Sequence, residues 1–303
     1  MKNVIEISNL KKNYGEVKAV DDISFCVKEG EFFAFLGLNG AGKSTTINII
    51  CGVTKKDAGK VIVDGVDIDQ DSESFRSKIG VVYQETALDK SLSVKDNLEN
   101  RAALYGIFDQ NFEKRLIEID KLLGIKEILK KTFGKLSGGQ KRKVDIARAI
   151  IHNPKILILD EPTTGLDPQT RRTVWQALSQ IQKESGTTIF LTTHYMEEVA
   201  DANNIVILDN GKIVAQGSPL ELKNRYTGDY IRLYHADEKK VLQLGKRYEV
   251  LPECYKIEVK NTNEATKLIL KYPDVFQDYE ITKGKIDDVF LTVTGKKLNE
   301  VSK

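Results

Sequence analysis

Cysteine is scarce: the 303-residue chain holds 3, at Cys26, Cys51 and Cys254. An odd number of widely spaced thiols suits neither a disulfide framework nor a cysteine-based metal site, and fits reduced thiols in a cytosolic protein. No apolar run reaches the roughly 18 residues that a membrane span needs. The opening Met1-Lys2-Asn3-Val4-Ile5-Glu6 lacks the apolar stretch of a secretory signal. Net charge is also nearly absent. With 46 Lys and Arg against 44 Asp and Glu, the balance is +2, so neither a basic nucleic-acid stripe nor a polybasic membrane anchor is announced. Internal repeats and low-complexity segments are missing too. What remains, at 41% hydrophobic residues, can bury a real core in one or two domains, and reads as a soluble intracellular protein.

Short alternating runs up to about Val27, such as Val4-Ile5-Glu6-Ile7 and Ile23-Ser24-Phe25-Cys26-Val27, predict an antiparallel sheet. Val61 to Gly65 adds a strand and turn. From about Leu92 to Leu129 the apolar spacing becomes helical, as at Leu116, Ile119, Leu122 and Leu123. The apolar runs Phe32 to Leu36, Ile79 to Tyr83, Ile156 to Leu159 and Thr188 to Leu191 predict buried parallel strands of an α/β core. Ile205 to Ala215 reads as a hairpin turning at Asn210-Gly211. Beyond about Pro219, strands at Tyr230 to Tyr234, Tyr255 to Val259 and Asp278 to Ile281, with a helix from Glu264 to Leu270, predict a small α+β appendage packed on its neighbour. The expected fold is therefore α/β: a mostly parallel P-loop core, an N-terminal antiparallel β subdomain, a helical subdomain at about 86–152 and the appendage. The expected domain boundaries are 1–218 and 219–303.

Gly37-Leu38-Asn39-Gly40-Ala41-Gly42-Lys43-Ser44 fits the phosphate loop G-x-x-x-x-G-K-[ST] and lies between a predicted strand and a predicted helix, Ser44 to Gly52. Glycines let backbone amides wrap phosphates, Lys43 reaches the terminal ones, and the Ser44 hydroxyl suits Mg²⁺. In doubly wound sheets, ligands bind beyond the carboxyl ends of the strands. There Asp160 would hold Mg²⁺, Glu161 would orient or deprotonate a water, and His194 would donate to the γ-phosphate. Gln84 would reach the metal or the water through its amide oxygen. Ser137-Gly138-Gly139-Gln140 precedes a predicted helix, Lys141 to Ile151, with Ser137 as its cap and the glycine amides bare. Two phosphate cradles and one set of carboxylates suit copies paired head to tail, each completing the other's site.

With these motifs the chain resembles the ATP-binding cassette ATPases over residues 1 to about 218. Gly37 to Ser44 resembles Walker A, Ile156 to Asp160 with Glu161 resembles Walker B, and Leu136 to Gln140 resembles the family signature. The resemblance implies ATP and Mg²⁺ as cofactors and adds Thr45 to the phosphate site. It also implies Tyr14 as the aromatic stacked on adenine, Gln84 as the Q-loop glutamine, Asp167 in a D-loop, and His194 as the switch histidine. Leu38 departs from the family's usual proline. Gln84 to Asp89, Leu92 to Leu98, Tyr105-Gly106 and the closing Ile286 to Gly295 are similar to the drug-resistance type that serves ABC-2 permeases. The implied protein is a homodimeric ATPase on the cytoplasmic face of the cell membrane, powering a separate ABC-2-type permease by export. No nucleic-acid partner is expected. The alternative is a soluble relative acting on nucleic acid or ribosomes, and such relatives usually carry tandem cassettes, coiled-coil insertions or zinc cysteines.

Overall fold

The computed structural model describes residues 2–296; residues 1 and 297–303 of the expected domains lie outside them. The chain divides into two compact units, 1–214 and 215 onward. The first unit opens with β1 (Asn3–Tyr14), β2 (Val17–Lys28), β3 (Phe32–Gly37), α1 (Lys43–Ile50), β4 (Ala58–Val63), β5 (Val66–Asp67), α2 (Ser72–Arg76) and β6 (Ile79–Val82). It continues through α3 (Val94–Ala103), α4 (Asp109–Leu123), α5 (Gly138–Ile150), β7 (Ile156–Asp160), α6 (Pro168–Ser185), β8 (Thr188–Thr193) and β9 (Asn204–Asp209), and β10 (Lys212–Gly217) leads out of it.

The core sheet runs β10-β9-β3-β8-β7-β6. β6, β7, β8 and β3 are mutually parallel, as their continuous apolar runs predicted, and β9 also lies parallel to β3. β9 is thus a core strand as well as the first arm of the expected hairpin, whose Asn210 and Gly211 both have positive φ. All six residues of β3 and all five of β7 are buried, because helices or a second sheet cover both faces.

On one face sits the antiparallel sheet β2-β1-β4-β5. Phe25 of β2 meets Phe33, Phe35 and Phe190 of the core sheet at ring-centroid distances of 5.3, 5.3 and 6.2 Å. Each fully buried ring of this kind contributes about 1.5–3 kcal/mol. The opposite face is covered by α3, α4, α5 and α6, whose buried Leu98, Phe112, Leu116, Val144 and Leu178 share a core with Leu157, Leu159 and Leu191. The expected helical stretch is two helices, since the chain breaks at Gly106, which takes φ 70°. α5 starts earlier than predicted, at Gly138, because Ser137 and Gln140 close a reciprocal capping box ahead of it.

The second unit contains α7 (Pro219–Tyr226), β11 (Asp229–Tyr234), α8 (Glu238–Leu242), β12 (Tyr248–Val250), β13 (Cys254–Val259), α9 (Thr262–Lys271), β14 (Tyr279–Lys283) and α10 (Ile286–Thr294). From β11 to β14 the order is β-α-β-β-α-β, and the antiparallel sheet runs β12-β13-β11-β14. This is the split βαβ arrangement. Ile231, Leu233, Val241, Leu244, Ile257, Val259, Ala265, Leu268 and Phe276 form a core of its own. The appendage is therefore more self-sufficient than its length suggested.

Candidate active site

The turn from β3 into α1 is shaped for an anion. α1 begins behind Gly42 with no side-chain cap, so the amides at its head lack partners in the helix and remain donors at the positive end of the dipole. Gly42 takes φ 106°, and a Cβ there would come 2.3 Å from the Ala19 carbonyl oxygen of β2; only glycine lets the loop lie this close. Lys43 is 5% exposed. Its Nζ donates to the carbonyls of Gly37 at 2.8 Å and Leu38 at 3.1 Å. Ser44 is exposed and Thr45 half-buried.

The chemistry gathers around Glu161. Lys43 Nζ lies 3.3 Å from its Oε1, and His194 Nδ1 lies 3.3 Å from its Oε2. The His194 imidazole, opposed by burial and helped by the Lys43 ammonium, holds the Glu161 carboxyl down at about 2. In this arrangement it is an ionised acceptor throughout the physiological range. Its backbone has φ 46°, and its N–H donates to the Thr192 carbonyl at 3.1 Å and hydroxyl at 3.0 Å. That same hydroxyl donates to Asp160 Oδ1 at 2.6 Å. The end of β8 thus orders both carboxylates that leave β7.

The other expected residues stand apart. Ser137 Oγ accepts the Gln140 N–H at 3.3 Å, while Gln140 Oε1 accepts the Ser137 N–H at 3.1 Å. The capping box therefore engages Gln140, and the amides of Gly138 and Gly139 lie ahead of the first intrahelical bond, from Lys141 N–H to the Ser137 carbonyl at 2.9 Å. Gly139 is packed on α6, where an added Cβ would meet Thr170 Cγ2 at 2.4 Å. Asp167 caps α6 by accepting the Thr170 N–H at 3.0 Å. Tyr14 closes β1, 52% exposed, with Lys12 Nζ 5.4 Å from its ring centroid. Gln84 is exposed two residues past β6. Among the described residues, no hydrogen bond or ion pair joins Tyr14, Gln84 or the 137–140 segment to the Lys43–Glu161–His194 group.

Arg142 was missed by sequence reasoning. From α5 its buried guanidinium donates to the carbonyls of Pro162, Tyr83 at 2.7 Å and Glu161 at 3.1 Å. It thereby ties the exits of β6 and β7 to the helix that follows the Ser-Gly-Gly turn. Asp145 lies 3.6 Å from it and also binds Arg148 at 2.7 Å, and Arg148 reaches the Val81 carbonyl at 2.7 Å. The available signal was charged residues recurring every three positions on a helix otherwise lined by apolar side chains.

A parallel sheet with a phosphate loop after one strand, paired carboxylates after a second and a histidine after a third defines a P-loop nucleotide hydrolase. The ABC transporter family matches residues 20–164. The linearmycin resistance ATP-binding protein LnrL of Bacillus subtilis is 40% identical over 229 residues, 75% of this chain and 73% of that one. The Nod factor export ATP-binding protein I of Ralstonia nicotianae is 32% identical over 98% of this chain and 95% of its own. Among solved structures, cbiO1 of Clostridium perfringens, part of the transporter complex cbiONQ, has a TM-score of 0.69 at 32% identity, covering 74% of this chain and 92% of that one. The dimeric cassette MJ0796, bound to ADP and Pi, has a TM-score of 0.64 at 30% identity, covering 71% of this chain and 98% of that one. The chain belongs to the ATP-binding subunits of ABC transporters. It is an ATPase whose turnover is coupled to transport, and these relatives are not the nucleic-acid or ribosome remodellers weighed as the alternative.

Proposed function

We propose that this chain is the motor of an exporter, working at the cytoplasmic face of a membrane beneath a separate ABC-2-type permease. Two copies pair head to tail, and each nucleotide lies between residues 37–45 of one and residues 137–140 of the other. The Lys43–Glu161–His194 cluster carries this reading, because it holds the groups for cleaving a terminal phosphate while the second glycine turn stands elsewhere in the same chain. Export is the role named for the Nod-factor relative, and resistance the role named for the linearmycin relative. Among the described residues no helix is long and apolar enough to cross a membrane.

The residues fit MgATP. No cluster of three or more His, Cys, Asp or Glu among the described residues could hold a metal alone. That suits Mg²⁺, which is bound through one or two carboxylates together with waters and substrate phosphates. Asp160 spends Oδ1 on Thr192 and retains Oδ2; with the Ser44 hydroxyl and the Gln84 amide oxygen it would hold the metal. When bound, the ion neutralises charge on the phosphates. Tyr14 stacks on the base, and Asp167 lines the facing edge of the pair. Lys43 exchanges the Gly37 and Leu38 carbonyls for phosphate oxygens. That exchange takes a positive neighbour from Glu161 and raises its basicity as it accepts from the attacking water. His194 donates to the terminal phosphate.

Glu161→Gln keeps the shape and removes the charge. It should bind ATP, lose nearly all turnover and accumulate as an ATP-bound dimer in size-exclusion chromatography. A variant that stays monomeric in MgATP and hydrolyses at the normal rate would refute the assigned role.

A further inference from the structure

Close to the catalytic carboxylate a second acid is buried with no cation opposite it. Glu198, in the short segment after β8, is 7% exposed, and among the described residues it pairs with no Lys, Arg or His. An unpaired buried carboxylate costs several kcal/mol unless donors satisfy it, and an apolar side chain of that size would fill the space at lower cost.

Its donors come from the loops that carry Glu161 and His194. The Thr193 hydroxyl donates to Glu198 Oε2 at 2.6 Å, and the Thr163 hydroxyl donates to Oε1. Thr193 ends β8 immediately before His194; Thr163 lies two residues beyond Glu161. The Thr193 hydroxyl also accepts the Tyr195 N–H at 2.9 Å, so it cannot rotate away without losing a bond on each side. Tyr195 in turn has its ring centroid 4.1 Å from that of His194, with the Arg171 guanidinium over it at 4.5 Å. A planar carboxylate accepts two hydroxyls at fixed spacing, and here those hydroxyls belong to the two loops whose side chains must converge.

We propose that Glu198 is a positioning residue for ATP hydrolysis: its carboxylate holds the Glu161 loop and the His194 loop in one register through Thr163 and Thr193. The proposal rests on the roles given above to Glu161 and His194. Both Glu198 oxygens are taken up by the two threonine hydroxyls, so its loss disturbs the alignment of the reacting groups and leaves the phosphate loop intact.

The test uses the purified full-length chain, measuring kcat and KM for MgATP, affinity for a fluorescent ATP analogue, and thermal denaturation. Glu198→Ala should lower kcat by about 10- to 100-fold, the effect of a misplacement of order 1 Å, with nucleotide affinity within about 3-fold of wild type. Glu198→Gln, which keeps one carbonyl acceptor and the volume, should recover at least about 5-fold of that loss. Thr193→Val and Thr163→Val, which remove one donor each at constant shape, should give the same kcat-selective loss, and they decide the matter if Glu198→Ala fails to fold. Glu161→Gln is run alongside. If it is inactive while Glu198→Ala and Thr193→Val turn over within about 2-fold of wild type, the positioning role is overturned and the reading of Glu161 stands. If affinity falls as far as kcat, the role is overturned in favour of general damage. If Glu161→Gln itself hydrolyses normally, the underlying reading falls and takes the positioning role with it.

Discussion

Replacing Arg142 tests the architecture of the site most directly, because that side chain holds main chain from two strand exits at once. Its guanidinium is the donor for the carbonyls of Pro162, Tyr83 and Glu161, with the Asp160 carbonyl further off at 3.5 Å. Arg142→Ala leaves these acceptors to find water in the cavity created. At about 1–1.5 kcal/mol for each of the nearer carbonyls, the loss is about 4 kcal/mol. Asp145 adds little to this, since Arg148 still binds it at 2.7 Å. Arg142→Lys keeps a charge for Asp145 but cannot reproduce the planar fork, and should lose about 2 kcal/mol. The chain has a single tryptophan, Trp175, in the first unit with its ring 5.2 Å from that of Phe32. Tryptophan fluorescence in urea therefore reports that unit alone, which matters because a two-unit chain need not unfold in one step. With a slope of about 2–3 kcal/mol per molar urea for a unit of this size, Arg142→Ala should move the midpoint down by about 1.3–2 M and Arg142→Lys by about half as much. Shifts below about 0.4 M for both, at unchanged slope, would refute the reasoning and mean that solvent replaces the guanidinium at almost no cost.

The remaining predictions concern the phosphate loop and pH. Gly42→Ala forces a Cβ to within 2.3 Å of the Ala19 oxygen at positive φ, whereas Gly40→Ala, at φ 81°, meets nothing within 4 Å. The first should cost at least about 2 kcal/mol and abolish binding of a fluorescent ATP analogue; the second should cost about 1 kcal/mol from backbone conformation alone. Equal effects in a thermal-shift and titration series would show that contact with β2 is immaterial. Glu161 titrates at about 2 in the folded chain against an ordinary 4.5. Its ionised form therefore stabilises the fold above about pH 4.5, and that contribution is lost as pH falls through 4.5 toward 2. The melting-temperature gap between wild type and Glu161→Gln should narrow from about pH 6 to about pH 3, and a constant gap would show that the Lys43 and His194 contacts contribute nothing.

Much of the protein was legible along the chain because the relevant physics is local. Continuous apolar runs marked the parallel strands, since a strand covered on both faces has no polar side to display. The phosphate loop was readable from spacing alone, because close backbone approach demands glycine wherever it occurs. Ser137 announced the cap of α5, and Asn210-Gly211 announced a turn, each through chemistry within a few residues.

What required the tertiary structure involves partners remote in sequence. That β9 joins the core beside β3 depends on main-chain pairing across more than half of the chain, and its own residues fit an edge hairpin equally well. The split βαβ order of the second unit was hidden because β12 spans only Tyr248–Val250, too short to show a period. Gly139 read as a bare turn until folding set Thr170 against it. Arg142 and Glu198 were simply charged residues until folding set three carbonyls around one and two hydroxyls against the other. Composition and spacing determined which groups could bind phosphate and which strands would carry them. Only the packed structure decided how Lys43, Glu161 and His194 are held together, because burying a charge is tolerable only where distant main chain and hydroxyl groups satisfy it.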